Sequence, residues 1–466
     1  MLKKSLKFLI IMLFGLISLL GCAKEKKLSS PTNLKIVDTV LSWNSISGAI
    51  KYRLDLTKEG VSMKRIVKEN NIDLNTLDLE EGTYNIRVQA ISKDSKNDSD
   101  YSKESVEYVQ KSADKVDEFI AEELNNSRYI KWMGRTTYSK LKSLKMVYHT
   151  ASGFEVKFKG DSVTARIFAT NYSVAGRNPF VTIVLDEDYE NQQRIEITKE
   201  YTDLTLVSGI TDDLEHKVTL YKSTESQDSI LGIESIKTTG EFIPDIDIKT
   251  HKIEFIGDSG SCGFGNLNKP TEQKTSKGSD GMKGFAALTG IALDADFQIF
   301  AASGWGVKAS IYTNPNTVNV FDAYKNYDFS GTGATIKYDY SSFIPDLIVI
   351  NLGTNDYSYI YAAVSDNVEY TKRLEAYKEQ YIALVNFVHS LYPNAHIIML
   401  HGLMNEGKVI ADATNEMYNE LKPLIPNLST IEINGDGKGA SNHPSAASHK
   451  EISEKLVAHI KDTLGW

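Results

Sequence analysis

The sequence predicts a multidomain chain in which two β-sandwiches precede a doubly wound, parallel-sheet α/β domain. Three observations carry that expectation. Period-2 alternation of apolar and polar residues fills residues 31–110 and returns over 131–249, the pattern of strands with one wet face. Short, nearly continuous apolar runs separated by helix-length amphipathic segments fill residues 250–466, as buried parallel strands and their crossover helices require. The length, 466 residues, leaves room for two to four domains at roughly 100–200 residues each. Hydrophobic residues at 41%, charged residues at 24% and only 10 prolines exclude bulk disorder, collagen and multi-span membrane classes. Lys and Arg total 52 against 61 Asp and Glu, for a formal charge of −9, so nucleic acid is not an expected partner.

The chain opens with Lys3, Lys4 and Lys7, an apolar stretch FLIIMLFGLISLL, then Gly21-Cys22. A basic start, an apolar stretch short for a membrane span and a small residue at the cut read as a signal peptide over 1–21. Leu19-Leu20-Gly21-Cys22 resembles a bacterial lipobox, which implies that Cys22 is lipidated and anchors the chain to a bacterial membrane outside the cytoplasm. An ordinary secretory signal or a single anchor helix are the alternatives. Residues 22–30 form a tether, and lipidation leaves Cys262 without a disulfide partner.

Over 31–110 the segments LKIV, VLSW, YRLDL and YNIRVQAIS alternate between turn residues. Pro31, Leu41-Ser42-Trp43, Gly48-Ala49, Tyr52 and Leu79-x-x-Gly82-Thr83-Tyr84 resemble a fibronectin type III domain, with Tyr84 as its corner tyrosine. That resemblance implies a spacer or binding module. Residues 111–130 (ADKVDEFIAEELNN) are polar, helical in flavour and expected to be a linker. FEVKFKG, SVTARIF, VTIVL, QRIEIT and HKVTLY then predict the second sandwich, 131–249, of jelly-roll-like form. In the α/β domain the buried strands are expected at 253–256, 297–302, 347–352, 396–400 and 429–433, with helices over 367–391 and 446–463.

Ligands of an open parallel sheet collect at the carboxyl ends of its strands. There the runs end in Gly257-Asp258-Ser259, Ser303-Gly304-Trp305-Gly306 and Gly353-Thr354-Asn355-Asp356, and Asn442-His443-Pro444 precedes the last helix. A hydroxyl needs a base to become nucleophilic, and His is the side chain poised for that near neutral pH. Ser259 and His443 fill those roles. The N–H groups of Ser259 and Gly304 and the Asn355 amide are candidate oxyanion donors.

These blocks resemble the SGNH hydrolase superfamily, at Ser259, Gly304, Asn355 and His443. The sandwich before them, through Gly134-Arg135-Thr136 and the run His216 to Glu225, is similar to carbohydrate esterase family 2 over residues 131–466. The resemblance implies an O-acetyl esterase releasing acetate from xylan, glucomannan or a related polysaccharide. Alternatives are another SGNH ester hydrolase, such as a lysophospholipase or peptidoglycan O-acetyl esterase, or a catalytically weak carbohydrate-binding lipoprotein. One departure stands out: the superfamily's Asp just before the catalytic His is replaced by Ala440 and Ser441. A backbone carbonyl, Asp436 or Asn442 then remain to orient His443.

Trp305, Asp356 and Tyr357 are candidate substrate-binding residues. Trp305 could stack on a sugar or pack inward, and the alternation of Tyr357, Tyr359 and Tyr361 could furnish a sugar platform or be loop aromatics. Cys262, three residues after Ser259, reads as a small core residue. With no His/Cys cluster, neither metal nor cofactor is expected, and the chain is expected to act as a monomer.

Overall fold

The computed structural model describes residues 27–37, 39–77, 79–110, 115–310, 319–329 and 333–466. Cys22 and the expected signal peptide lie outside them. The chain divides into two compact units, Met1–Lys115 and Val116–Trp466.

In the first unit, the strands Lys51–Lys58 and Val61–Val67 are joined by Glu59-Gly60, whose φ angles of 49° and 84° make the tight hairpin turn that right-twisted strands prefer. With Gly82–Ile91 and Val106–Gln110 they form a four-stranded sheet. Lys35–Val37, Val40–Ser42 and Asn71–Asp73 form a three-stranded one. Their apolar faces bury Leu41, Leu54, Ile86 and Val88, with Trp43 edge-on to Tyr52 at 5.2 Å. Tyr84 donates its hydroxyl proton to the Glu80 carbonyl at 3.0 Å.

The second unit begins earlier than the pattern suggests. Instead of a helical linker over 111–130, Glu118–Ile120 is a strand paired with Ser235–Lys237, and Ala121–Asn125 a single 3₁₀ segment. Burial is the reason. Phe119 and Leu124, 2% and 0% exposed, join the core with Phe154, Phe158 and Phe242, so tertiary packing outweighs the helix-forming composition. Two six-stranded antiparallel sheets follow around that core.

After Lys249 the sheet becomes parallel. Its strand order is Ala295–Ala301, His251–Gly257, Leu347–Asn351, His396–His401, Leu428–Glu432, so the first strand in sequence lies inside the sheet and the chain leaves it in both directions. The central strands are buried on both faces, whereas the edge strand Leu428–Glu432 is only half-buried. Ile256 and Ile350 pack beneath helices Asn367–Leu391 and Lys408–Leu421, while Ile253 and Phe255 pack against Phe285–Ala292 and Ala446–Leu464. The long helix starts at Asp366, whose carboxylate accepts from the N–H groups of Val368 and Glu369 at 3.0 and 3.1 Å.

Sandwich and parallel sheet are bolted together by Arg135, 2% exposed. It donates to Glu254 Oε1 at 3.1 Å and to the carbonyls of Tyr324 and Asn326 at 2.6 and 2.7 Å, while the rings of Phe300, Tyr324 and Tyr338 cover the guanidinium at 4.1, 4.3 and 3.8 Å. Tyr324 and Gln298 satisfy the rest of the Glu254 carboxylate, at 2.6 and 2.8 Å.

Candidate active site

Strand register sets the site. Gly257 pairs with Ala301 on one side and Asn351 on the other, so the residues just beyond all three, including Ser259, Gly304 and Asn355, leave the sheet at its carboxyl edge, where the strand order reverses. Gly257 is required sterically, because a Cβ there would stand 2.1 Å from Ser261 Oγ and 3.2 Å from the Asn351 carbonyl. Ser259 opens the short helix Ser259–Cys262, and Asp258 caps it by accepting from the Gly260 N–H at 3.0 Å. Burial, with the Glu406 and Asp356 charges, pushes the Asp258 carboxyl up to about 8.

Ser259 and His443, 184 residues apart, meet: Ser259 Oγ lies 2.8 Å from His443 Nε2. His443 Nδ1 lies 2.9 Å from the Ala440 carbonyl. A carbonyl only accepts, so Nδ1 carries the proton and Nε2 is left to accept from the Ser259 hydroxyl. The Ala440 carbonyl is turned under the ring by a 3₁₀ segment whose Ser441 and Asn442 hold φ of 51° and 61°, a left-handed backbone for two non-glycine residues. Its N–H is tied to the Gly265 carbonyl at 3.0 Å. Phe264 stacks on the imidazole with ring centroids 4.3 Å apart. Burial lowers the His443 pKa from its ordinary value, and the bonds to Ala440 and Ser441 and the Glu225 charge offset only part of this.

Neither side-chain substitute for the missing carboxylate reaches the histidine. Asp436 is spent on Ser445, accepting from its N–H at 2.9 Å and its hydroxyl at 2.6 Å, and on the Lys438 N–H. Asn442 serves the turn through its backbone.

Asn355, 3% exposed, sits in the first turn of helix Thr354–Tyr361 and donates from Nδ2 to the Trp305 carbonyl at 3.0 Å and to Asp258 Oδ2 at 3.2 Å. It ties the nucleophile's cap to the loop after Gly304, and both its amide hydrogens have acceptors. Gly304 holds φ +77°. Asp356 is corrected from a substrate contact to a structural anchor. It is fully buried and accepts from the N–H groups of Val307, Lys308 and Ala309 at 2.9, 2.8 and 2.9 Å, and burial raises it to about 6. The tyrosine platform is corrected too. Residues 354–361 are helical, so alternate residues diverge: Tyr359 is buried beneath Arg373, and Tyr357 pairs instead with Tyr361, at 5.6 Å. Trp305 is half-buried, with its ring 5.0 Å from Phe329. Cys262 is buried.

Pattern reading overlooked Glu225, Lys274 and Phe264. Glu225 accepts from the Ser303 N–H and hydroxyl at 3.0 and 2.8 Å, and Lys274 pairs with it at 2.9 Å. The only hint in the chain is that Glu225 ends the run beginning at His216. Separately, a cavity of about 630 Å³ between the sandwich and strand Ala295–Ala301 is lined by residues such as Met133, Tyr189, Tyr221 and Phe297, and none of Ser259, Gly304, Asn355 or His443 lines it.

Residues 132–245 match the family model for the carbohydrate esterase 2 N-terminal domain, and residues 253–456 match that for GDSL-like lipase/acylhydrolase. The chain is 30% identical over 331 residues to the cellulase/esterase CelE of Acetivibrio thermocellus, covering 68% of this chain and 38% of that protein. It is 29% identical over 327 residues to an acetylxylan esterase / glucomannan deacetylase of Cellvibrio japonicus, covering 67% and 84%. A family two carbohydrate esterase from Clostridium thermocellum, solved in complex with cellohexaose, superposes with a TM-score of 0.62 at 26% identity, covering 72% of this chain and 99% of that one.

Proposed function

We propose that this chain, which resembles the family two carbohydrate esterases across its second sandwich and its GDSL-type hydrolase domain, is a carboxylic ester hydrolase releasing acetate from an acetylated polysaccharide of the xylan or glucomannan kind. The observation that carries this reading is the Ser259–His443 contact, with the ring held by the Ala440 carbonyl. His443 Nε2 takes the hydroxyl proton as Ser259 Oγ attacks the acetyl carbon. The oxyanion that forms draws on the Ser259 and Gly304 N–H groups, and on Asn355, where its charge outcompetes the neutral Trp305 carbonyl for one amide hydrogen. As the intermediate collapses and its bond to the sugar oxygen breaks, the imidazolium protonates that oxygen, which departs as the sugar hydroxyl. Water, deprotonated by the same histidine, releases acetate from Ser259. His443 needs no carboxylate for this, because the carbonyl already selects the tautomer. The names of the relatives support the acyl group and the substrate class.

The lipobox-like Leu19-Leu20-Gly21-Cys22 supports an enzyme tethered through Cys22 to a bacterial membrane and working outside the cytoplasm. The first unit, with three- and four-stranded sheets and the Tyr84–Glu80 bond, supports a fibronectin type III-like spacer. Acetate release from acetylated xylan, glucomannan and peptidoglycan tests the function. The polysaccharides should be deacetylated and Ser259→Ala should lose nearly all turnover while folding normally; residual activity within about tenfold would refute the nucleophile. Loss of acyl labelling in Cys22→Ser, with esterase activity kept, tests the anchor.

A further inference from the structure

Building on the Ser–His reading above, we propose that Glu225, contributed by the sandwich, is a positioning residue of the esterase: together with Gln227 it fixes the Ser303-Gly304 turn, so that the Gly304 N–H meets the developing oxyanion. Three polar atoms of Ser303 are gripped by two side chains of the loop that follows strand His216–Lys222. Glu225 Oε2 accepts from the Ser303 N–H at 3.0 Å, Glu225 Oε1 accepts from its hydroxyl at 2.8 Å, and the Ser303 carbonyl accepts from Gln227 Nε2 at 2.8 Å.

The turn does little to hold itself. Its own backbone bond, from the Trp305 N–H to the Ala302 carbonyl, is stretched to 3.4 Å. Gly304 has no side chain to anchor it and sits at φ +77°. The grip, by contrast, is built rigidly. Glu225 is 4% exposed, and a buried carboxylate is tolerated only when paired. Lys274 supplies the pairing at 2.9 Å and is itself fixed to Asp228 at 2.5 Å. The fully buried Lys222 ammonium donates to the carbonyls of Thr224 and Glu225, which shapes the loop from below. An oxyanion donor acts only if preorganised, so a donor on a self-supporting turn would need no such clamp, whereas this one has it from a loop of the sandwich.

The test is steady-state kinetics on p-nitrophenyl acetate with full-length Glu225→Ala, Glu225→Gln and Gln227→Ala, thermal melts in parallel and Ser259→Ala as control. Glu225→Ala should lose on the order of 10²-fold in kcat with KM within about threefold, since an oxyanion donor is felt in the transition state. Glu225→Gln keeps one acceptor oxygen for Ser303 and should recover part of that loss. Gln227→Ala, at an exposed side chain, should lose about three- to tenfold in kcat with an unchanged melt. If Glu225→Ala fails to fold, the other two variants decide. The proposal is overturned if both keep kcat within twofold of the parent, or if the loss falls in KM. Ser259→Ala retaining the parent's turnover would instead refute the Ser–His reading itself.

Discussion

At the scale of single residues, the chemistry turns on which nitrogen of His443 bears the proton, and a carbonyl decides it. The base must be neutral, so kcat/KM should rise with pH as His443 loses its proton. Burial lowers its pKa, which places the midpoint of that acid limb below the ordinary histidine value of about 6.5. A limb centred at or above that value, measured on p-nitrophenyl acetate, would contradict the assignment. The same geometry separates His443 from its neighbours. His443→Ala should cost on the order of 10³ or more in kcat, whereas Asp436→Ala, which unties only Ser445 and Lys438, should cost less than about tenfold. The blocks around Ser259, Gly304, Asn355 and His443 were legible in the sequence because each follows an apolar run or precedes a helix. Asp356 was misread because an acidic residue beside a catalytic block looks alike whether it faces substrate or three backbone N–H groups.

At the scale of elements, two helix starts and the loops beside them hold the site, and two of those loops are anchored by buried carboxylates, Glu225 and Asp356. Asp356 closes the loop over Val307, Lys308 and Ala309. Asp356→Ala strands three backbone donors in a buried place, so unfolding free energy should fall by about 2–4 kcal/mol. Chemical denaturation of the variant checks this, and a loss under about 1 kcal/mol would mean that water takes over the role. Period and composition were sound guides to strands and to the long helix Asn367–Leu391. They failed at 115–125, where Phe119 and Leu124 are drawn into the sandwich core, and at 357–361, where period-2 aromatics sit on a helix.

At the scale of the whole molecule, the second sandwich and the hydrolase domain form one unit, Val116–Trp466. Arg135 and Glu254 lie on opposite sides of that junction, both side chains buried. Removing one partner leaves the other charge buried and unpaired, so Arg135→Met should destabilise this unit by about 3–5 kcal/mol, and Arg135→Met/Glu254→Gln should recover part of the loss. Denaturant midpoints of the single and double variants measure the coupling; additive losses would show that the two charges do not depend on each other.

By itself the sequence determined that a β-rich region precedes a parallel sheet, because hydrophobic periodicity is a local property of neighbouring residues. It determined the nucleophile and base candidates too, since strand ends and helix starts are read locally. Only the tertiary structure decided what orients His443, because a backbone carbonyl leaves no trace in residue identity. The tertiary structure alone also decided that Glu225, 78 residues before Ser303, reaches across from the sandwich. Such a contact arises from the packing of one sheet against another, and no spacing along the chain encodes it.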